Sequence, residues 1–261
     1  LQVIDRGGIV THTYPGQQVI VHSQKGDVYG VVEAYRDLLK KSDLSTKDFV
    51  IDIGAKDRED ALKYVDLGDP IVLDTHIRKL ANGRISARAL DDRIGVYIIM
   101  EALKRARERG CQAGVYAAST TGEETTKTGA YWCSTRIRPT LAIVVDVTYT
   151  SDCIGMNPAE MGTVELGKGP VLCNSPIVVK EWNQKLEDCA KEAGIPVQRE
   201  AASRLSYTDA DKIHFSNEGV PVVLVSIPLR YMHMPCEVAD ENDVENCIEL
   251  IARFLTAYQA E

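Results

Sequence analysis

Apolar and polar positions alternate with a two-residue period in the first third of the chain, the signature of strands buried on one face. Residues 17–22 (QQVIVH) and 28–32 (VYGVV) carry the pattern on either side of Lys25-Gly26-Asp27 and predict a hairpin. Residues 49–53 (FVIDI) and 70–73 (PIVL) predict further short strands, with a short helix over 58–65 between them. Glycine and proline punctuate this part as they do in small barrels and sandwiches.

Beyond about Arg84 the period lengthens. Ile94, Tyr97, Ile98, Leu103 and Ala106 recur at helical spacing and predict a helix over 92–109, closed by Gly110. A strand over 115–119, a helix over 126–136 and a continuous apolar strand over 141–147 (LAIVVDV) follow. The remainder predicts a helix over 176–193, a buried strand over 222–227 (VVLVSI) and a terminal helix over 242–258. Strands alternating with helices define an α/β class, a sheet flanked by helices. The change of period divides the chain into a β-rich domain, 1–80, and an α/β domain, 81–261.

The chain has 261 residues, 44% hydrophobic and 26% charged, the composition of an ordinary globular protein. A formal charge of -8 without a basic patch argues against nucleic acid as a partner, because little is available to neutralise phosphates. No uninterrupted apolar stretch reaches membrane-spanning length and no secretory leader pattern is visible, so no membrane partner is expected. Cys111, Cys133, Cys153, Cys173, Cys189, Cys236 and Cys247 show no C-x-x-C spacing. Scattered thiols of this kind fit a reducing compartment, and a cytoplasmic location is the expectation.

Ionisable residues collect where strand patterns meet loops or helices: Asp91-Asp92 in ALDDRIG, Glu123-Glu124 in TTGEETTKTG, Asp146 in AIVVDVT and His233 in RYMHMPCE. Helix-flanked sheets gather ligands at the carboxyl ends of their strands, so residues this far apart in sequence can share one rim. Each also has a plainer role. Asp91-Asp92 precede a helix and suit N-capping. Glu123-Glu124 suit the positive end of a helix dipole, although adjacent carboxylates repel unless a cation sits beside them. Asp146 ends an apolar run, where an unpaired charge is costly and a metal or an arginine is a natural partner. His233, between Met232 and Met234, also suits a satisfied core position. Together the set supplies what a pair of divalent metals needs: a bridging carboxylate, further carboxylate and imidazole ligands, and a free carboxylate to activate water. Tyr207, Asp209 and Arg230 are candidate substrate-pocket residues; helix capping is the plainer role for Asp209, and surface or scaffold roles for the others.

With these residues in place, the chain resembles the TET-type metallo-aminopeptidases, the group that includes glutamyl and deblocking aminopeptidases. The resemblance is carried by Pro15-Gly16-Gln17-Gln18-Val19, Gly68-Asp69-Pro70, ARALDDRIG, Gly122–Glu124 with Thr128-Gly129-Ala130, Val145–Val147, GKGPV, Thr208-Asp209-Ala210 and PLRYMHMPCE, in that order over essentially the whole chain. It implies the helix-flanked mixed sheet of a two-metal exopeptidase, with a small β-barrel-like dimerisation domain. It implies that Asp91 bridges two divalent metals, that Glu124 and His233 complete one site, and that Asp146 serves the other. Glu123 is then the general base for a metal-bridging water, and Asp92 a capping or supporting group. Zn²⁺ or Co²⁺ are the expected metals, with Mn²⁺ also admitted by a carboxylate-rich site. The implied substrates are peptides, cleaved after their first residue. The implied self-association builds dimers into a tetrahedral dodecamer.

One family ligand has no counterpart. It is a histidine in a His-x-Asp motif ahead of the inserted domain, and no His-x-Asp occurs in the chain. The chain aligns from just beyond that motif, and the early strands and first helix of the catalytic domain are expected to be missing with it. The second metal position then has Asp91 and Asp146 but no imidazole. Two other readings therefore stand beside the enzyme: a truncated, inactive subunit or assembly module of the same family, and a different two-metal hydrolase such as a phosphoesterase.

Overall fold

The computed structural model describes residues 1–258; the end of the α/β domain, drawn to 261, lies outside the described residues. The alternating first third forms one antiparallel sheet. Its elements are β1 (Gln18–Ser23), β2 (Gly26–Val32), α1 (Arg36–Leu39), β3 (Ile51–Asp52), α2 (Arg58–Ala61) and β4 (Ile71–Leu73), with strand order β3-β2-β1-β4. The hairpin is tighter than the pattern predicts. Ser23 pairs with Gly26 and His22 with Asp27, so both residues belong to β2 and the turn is Gln24-Lys25. Val19, Val32, Leu38, Leu44, Phe49, Ile51 and Leu73 bury together against this sheet. The helix expected over 58–65 is cut to the single turn of α2, because the amides of Lys63 and Tyr64 bond three residues back rather than four. On the side of β3 away from β2, Leu1 exchanges backbone hydrogen bonds with Ile51 and Gln2 bridges to Val50.

The rest of the chain contributes β5 (Arg78–Lys79), β6 (Arg84–Ala87), α3 (Leu90–Glu108), α4 (Thr128–Ile137), β7 (Ala142–Tyr149), α5 (Pro158–Met161), β8 (Val171–Asn174), α6 (Lys180–Ala193), β9 (Gln198–Ala201), α7 (Ala210–His214), β10 (Val222–Leu229), β11 (Glu237–Asp240) and α8 (Glu241–Ala257). The central sheet runs β7-β10-β8-β9 and is mixed: β10 is parallel to β7 and antiparallel to β8. A small antiparallel sheet, β11-β6-β5, stands beside it.

Every residue of β10 is buried, and the two-residue period divides them between two cores. Val223, Val225, Ile227 and Leu229 join Ile98 and Ala102 of α3 and Ile248 and Ile251 of α8. Val222 and Leu224 join Ile177 and Ala210 on the other face. β7 repeats the division, with Val145 and Val147 toward the first core and Val144 toward the second. The same period turns Asp146 to the face of Val144, where it pairs in register with Ser226 of β10. A carboxylate is thereby carried into the carboxyl half of an otherwise apolar strand.

Two expectations need correction. Residues 115–119 do not form a strand. They line a cavity of about 720 Å³ together with residues 142–146 of β7 and Ile99, Leu103, Ile251 and Phe254, and among the described residues no strand pairs with them. The helix expected from 176 begins at Lys180 instead. Val178 bridges to Val222 and the Val179 amide donates to the Val222 carbonyl, so this β-branched pair is held extended against the sheet.

Candidate metal centre

β6 feeds α3 through Ala89, at φ 48°, which sets Asp91 and Asp92 at the helix start. The capping expectation is met by Asp92, whose Oδ1 accepts the Gly95 amide at 3.0 Å. The glycine of ALDDRIG makes this possible, since a Cβ on Gly95 would lie 2.2 Å from Asp92 Oδ2.

Asp91 serves a different neighbour. Its Oδ2 lies 3.2 Å from Nε2 of His233, which is itself 3.5 Å from Oε2 of Glu124. One donor atom from each of Asp91, Glu124 and His233 lies within 4.8 Å of the others. An imidazole and two carboxylates so arranged can share one divalent ion, and the donor set suits Zn²⁺, Co²⁺ or Mn²⁺. The bond to Asp91 is the leading cause that raises the His233 pKa, with the Glu124 charge adding to it. Burial raises Glu124, and the Asp91 charge raises it further.

Asp146 is buried, and its Oδ1 accepts the Val147 amide at 2.8 Å. Burial holds its carboxyl well above the ordinary range, and nearby Asp91 and Glu123 add to the shift. Burial does the same to Asp92, reinforced by the charge of Asp146. Desolvated carboxylates that repel one another gain most from a cation in their midst, so this side of the site also fits a metal. Its donors are carboxylates alone. The remaining imidazoles are engaged elsewhere: His12 with the Lys41 carbonyl, His22 with Asp27, His76 with Asp74 and His214 with the Val220 carbonyl.

Glu123 pairs with Lys127 four residues on, across the turn that precedes α4, and the same ammonium donates to the carbonyl of Tyr207. Sequence reasoning passed over Lys127, whose signal was its i,i+4 spacing in GEETTK. Asp209 precedes α7 yet makes no side-chain cap. It accepts the hydroxyl of Thr120 instead, which ties α7 to the loop of Glu123, and burial raises its carboxyl. Arg230 forks onto Asp152 through Nε (3.0 Å) and an NH₂ group (2.7 Å), so its charge already has a partner.

Further residues at the centre were not expected. Gly7 and Gly8 run across it: a Cβ on Gly7 would lie 3.1 Å from Glu124 Cβ, and one on Gly8 would lie 3.1 Å from His233 Nδ1. The Gly-Gly pair was the available signal. Tyr149 ends β7 close enough for the charges of Asp91, Glu124 and Glu237 to add to the burial that raises its phenol. Glu237, in the PCE of the last motif, is buried and accepts the backbone amides of both Asp91 and His233 at 3.0 Å.

Known proteins share this frame. The lysyl aminopeptidase of Pyrococcus furiosus is 32% identical over 264 residues, which cover 98% of this chain and 74% of that one. A TET aminopeptidase from a marine-sediment Thaumarchaeota archaeon superposes with a TM-score of 0.87 at 32% identity, over 96% of this chain and 73% of that one. A Pyrococcus horikoshii TET peptidase, which can assemble into a tetrahedron or a large octahedral shell, superposes with a TM-score of 0.83 at 29% identity, over 97% and 76%. The family model of the M42 glutamyl aminopeptidases matches residues 1–250, and the chain belongs to that family.

Proposed function

We propose that the chain is a two-metal aminopeptidase that releases the first residue of peptides, with residues 81–261 as its catalytic domain. The observation that carries this reading is the convergence of Asp91, Glu124 and His233 within 4.8 Å, with buried Asp146 close enough for the charge of Asp91 to act on it. In it, Asp91, Glu124 and His233 would hold one ion, and Asp91 and Asp146 would hold the other. Zn²⁺ or Co²⁺, or alternatively Mn²⁺, would polarise the scissile carbonyl and make water acidic enough to attack it.

The protein groups handle the protons. Glu123 takes a proton from the water at a carboxylate oxygen as the water oxygen forms the new C–O bond to the scissile carbon, and delivers it to the amine nitrogen as the C–N bond breaks. Lys127 aims that carboxylate, since it spans Glu123 and the Tyr207 carbonyl. Asp92 holds the start of α3, and Asp209 and Arg230 border the substrate: Asp209 through the Thr120 loop, Arg230 as half of an ion pair with Asp152.

Residues 1–80 would form the assembly domain. The shell-forming relative supports self-association of dimers into a tetrahedral dodecamer. Among the described residues no helix is long and apolar enough to cross a membrane, and a cytoplasmic location fits the unpaired thiols. A second reading, an inactive subunit or assembly module, is favoured by the second metal position, where Asp91 and Asp146 have no imidazole beside them.

The deciding experiment measures bound metal per chain together with amino-acid release from a panel of peptide anilides, in the wild type and in Glu123→Gln. Metal binding with turnover that E123Q abolishes supports the enzyme. Full activity in E123Q removes Glu123 from its role, and metal-loaded protein without turnover supports the inactive reading.

A further inference from the structure

The arrangement of Glu237 reaches beyond the ligands themselves. It is the first residue of β11, where it pairs with Ala87 at the end of β6, and its side chain is only 2% exposed. From that rigid ladder the carboxylate spans two separate turns. Oε2 accepts the amide of Asp91 at 3.0 Å, and Oε1 accepts the amide of His233 at 3.0 Å. Burial raises its pKa, against the opposing pull of the Asp91, His233 and Leu90 amides. His233 needs such a tether: its φ of 64° lies in the left-handed region, where a side chain is disfavoured, as does that of Tyr231 at 63°. The Asp91 amide stands in the first turn of α3, where backbone donors lack helical partners.

We propose that Glu237 is a positioning residue that sets the separation between Asp91 and His233, and with it the fit of the divalent ion they would share. The inference rests on reading those two residues as metal ligands. A single carboxylate is suited to the task because its two oxygens are fixed relative to one another, so holding both amides locks two otherwise independent turns into one frame. Groups that orient ligands from behind tune metal affinity even though they never touch the ion. Glu237 differs from the usual supporting group in gripping the ligands by their backbone, which leaves both side chains free to face the cation.

The test is cobalt(II) titration of the metal-stripped full chain, read by visible absorption and by competition with a chelator, in the wild type, Glu237→Gln and Asp243→Asn. Glu237→Gln keeps the shape but turns an NH₂ group toward one of the two amides. Asp243 is an equally buried carboxylate that accepts two amides, those of Gly167 and Gly169, away from the centre, so its variant measures the cost of losing such a group in general. The expected result is cobalt affinity lowered about 10- to 100-fold in E237Q with a changed absorption band, and unchanged in D243N. Wild-type affinity and spectrum in E237Q would overturn the role of Glu237 alone. Equal losses in both variants, or E237Q insoluble while D243N is soluble, would reduce it to a general structural group. A wild type that takes up no cobalt would remove the ligand reading and this inference with it.

Discussion

Nε2 of His233 stands 3.2 Å from Oδ2 of Asp91, close enough for the two groups to share a proton. That bond leads the causes that raise the His233 pKa above its ordinary 6.5. For a histidine raised in the folded state, the stability it contributes is complete below 6.5 and is lost as pH rises through the raised folded value. Metal binding must expel the same proton, so affinity climbs with pH over that window and levels off above it. Calorimetric titration with Zn²⁺ in buffers of differing ionisation enthalpy should register proton release that fades as pH rises through the raised folded value of His233. Release that does not change with pH would contradict the shared proton.

The pairing of Glu123 with Lys127 yields a kinetic prediction. Glu123→Gln removes the proton carrier and should lower kcat by roughly 10²- to 10⁴-fold while bound metal is retained. Lys127→Met removes only the group that aims the carboxylate. It should lower kcat more mildly and leave KM nearly unchanged. A kcat equal to that of the wild type would show that Lys127 does not act on Glu123.

Crowding tests the Gly7-Gly8 segment. A Cβ on Gly8 would sit 3.1 Å from His233 Nδ1, close enough to push the ring, whereas a Cβ on Gly114 meets open space. Gly8→Ala is expected to weaken metal binding about tenfold with little loss of thermal stability, and Gly114→Ala to leave binding unchanged. Equal affinity in the two variants would mean that the segment merely passes by.

How much of this was legible in the sequence depends on how local the cause is. The strand over 141–147 and the helix over 92–109 were readable because their own periodicity buries them, and Asp146 stood out as a charge ending an apolar run. Residues 115–119 have strand composition but no ladder partner, a fact that lies in the tertiary arrangement. The start of α6 was misjudged because Val178 and Val179 belong to the sheet through Val222, a distant residue. The ligand set was recognisable as an ordered series of motifs, while their spacing in space was not. Glu237 and Lys127 act through a backbone amide, a carbonyl and a neighbouring carboxylate, and such contacts leave no periodic trace. The plainer role open to Asp209, a helix cap, fails for the same reason: its side chain goes to Thr120 instead.

Asp243 supplies a stability prediction away from the centre. It lies in the first turn of α8, fully buried, with both carboxylate oxygens 2.7 Å from the amides of Gly167 and Gly169. Burial nonetheless pushes its pKa from an ordinary 3.8 up to about 6, the two amides opposing the shift and the charge of Asp240 adding to it. An acid raised in the folded state is bound to its proton there when the unfolded chain has already released it. Its contribution to stability is therefore complete below 3.8 and lost as pH rises through about 6. A shift of this size corresponds to roughly 3 kcal/mol between the two limits. Urea unfolding at pH 4.5, 5.5 and 7 should give the wild type a downward slope in this window that Asp243→Asn, which cannot titrate, lacks. Parallel slopes in the two proteins would mean that the amides of Gly167 and Gly169 outweigh burial, leaving Asp243 ionised throughout.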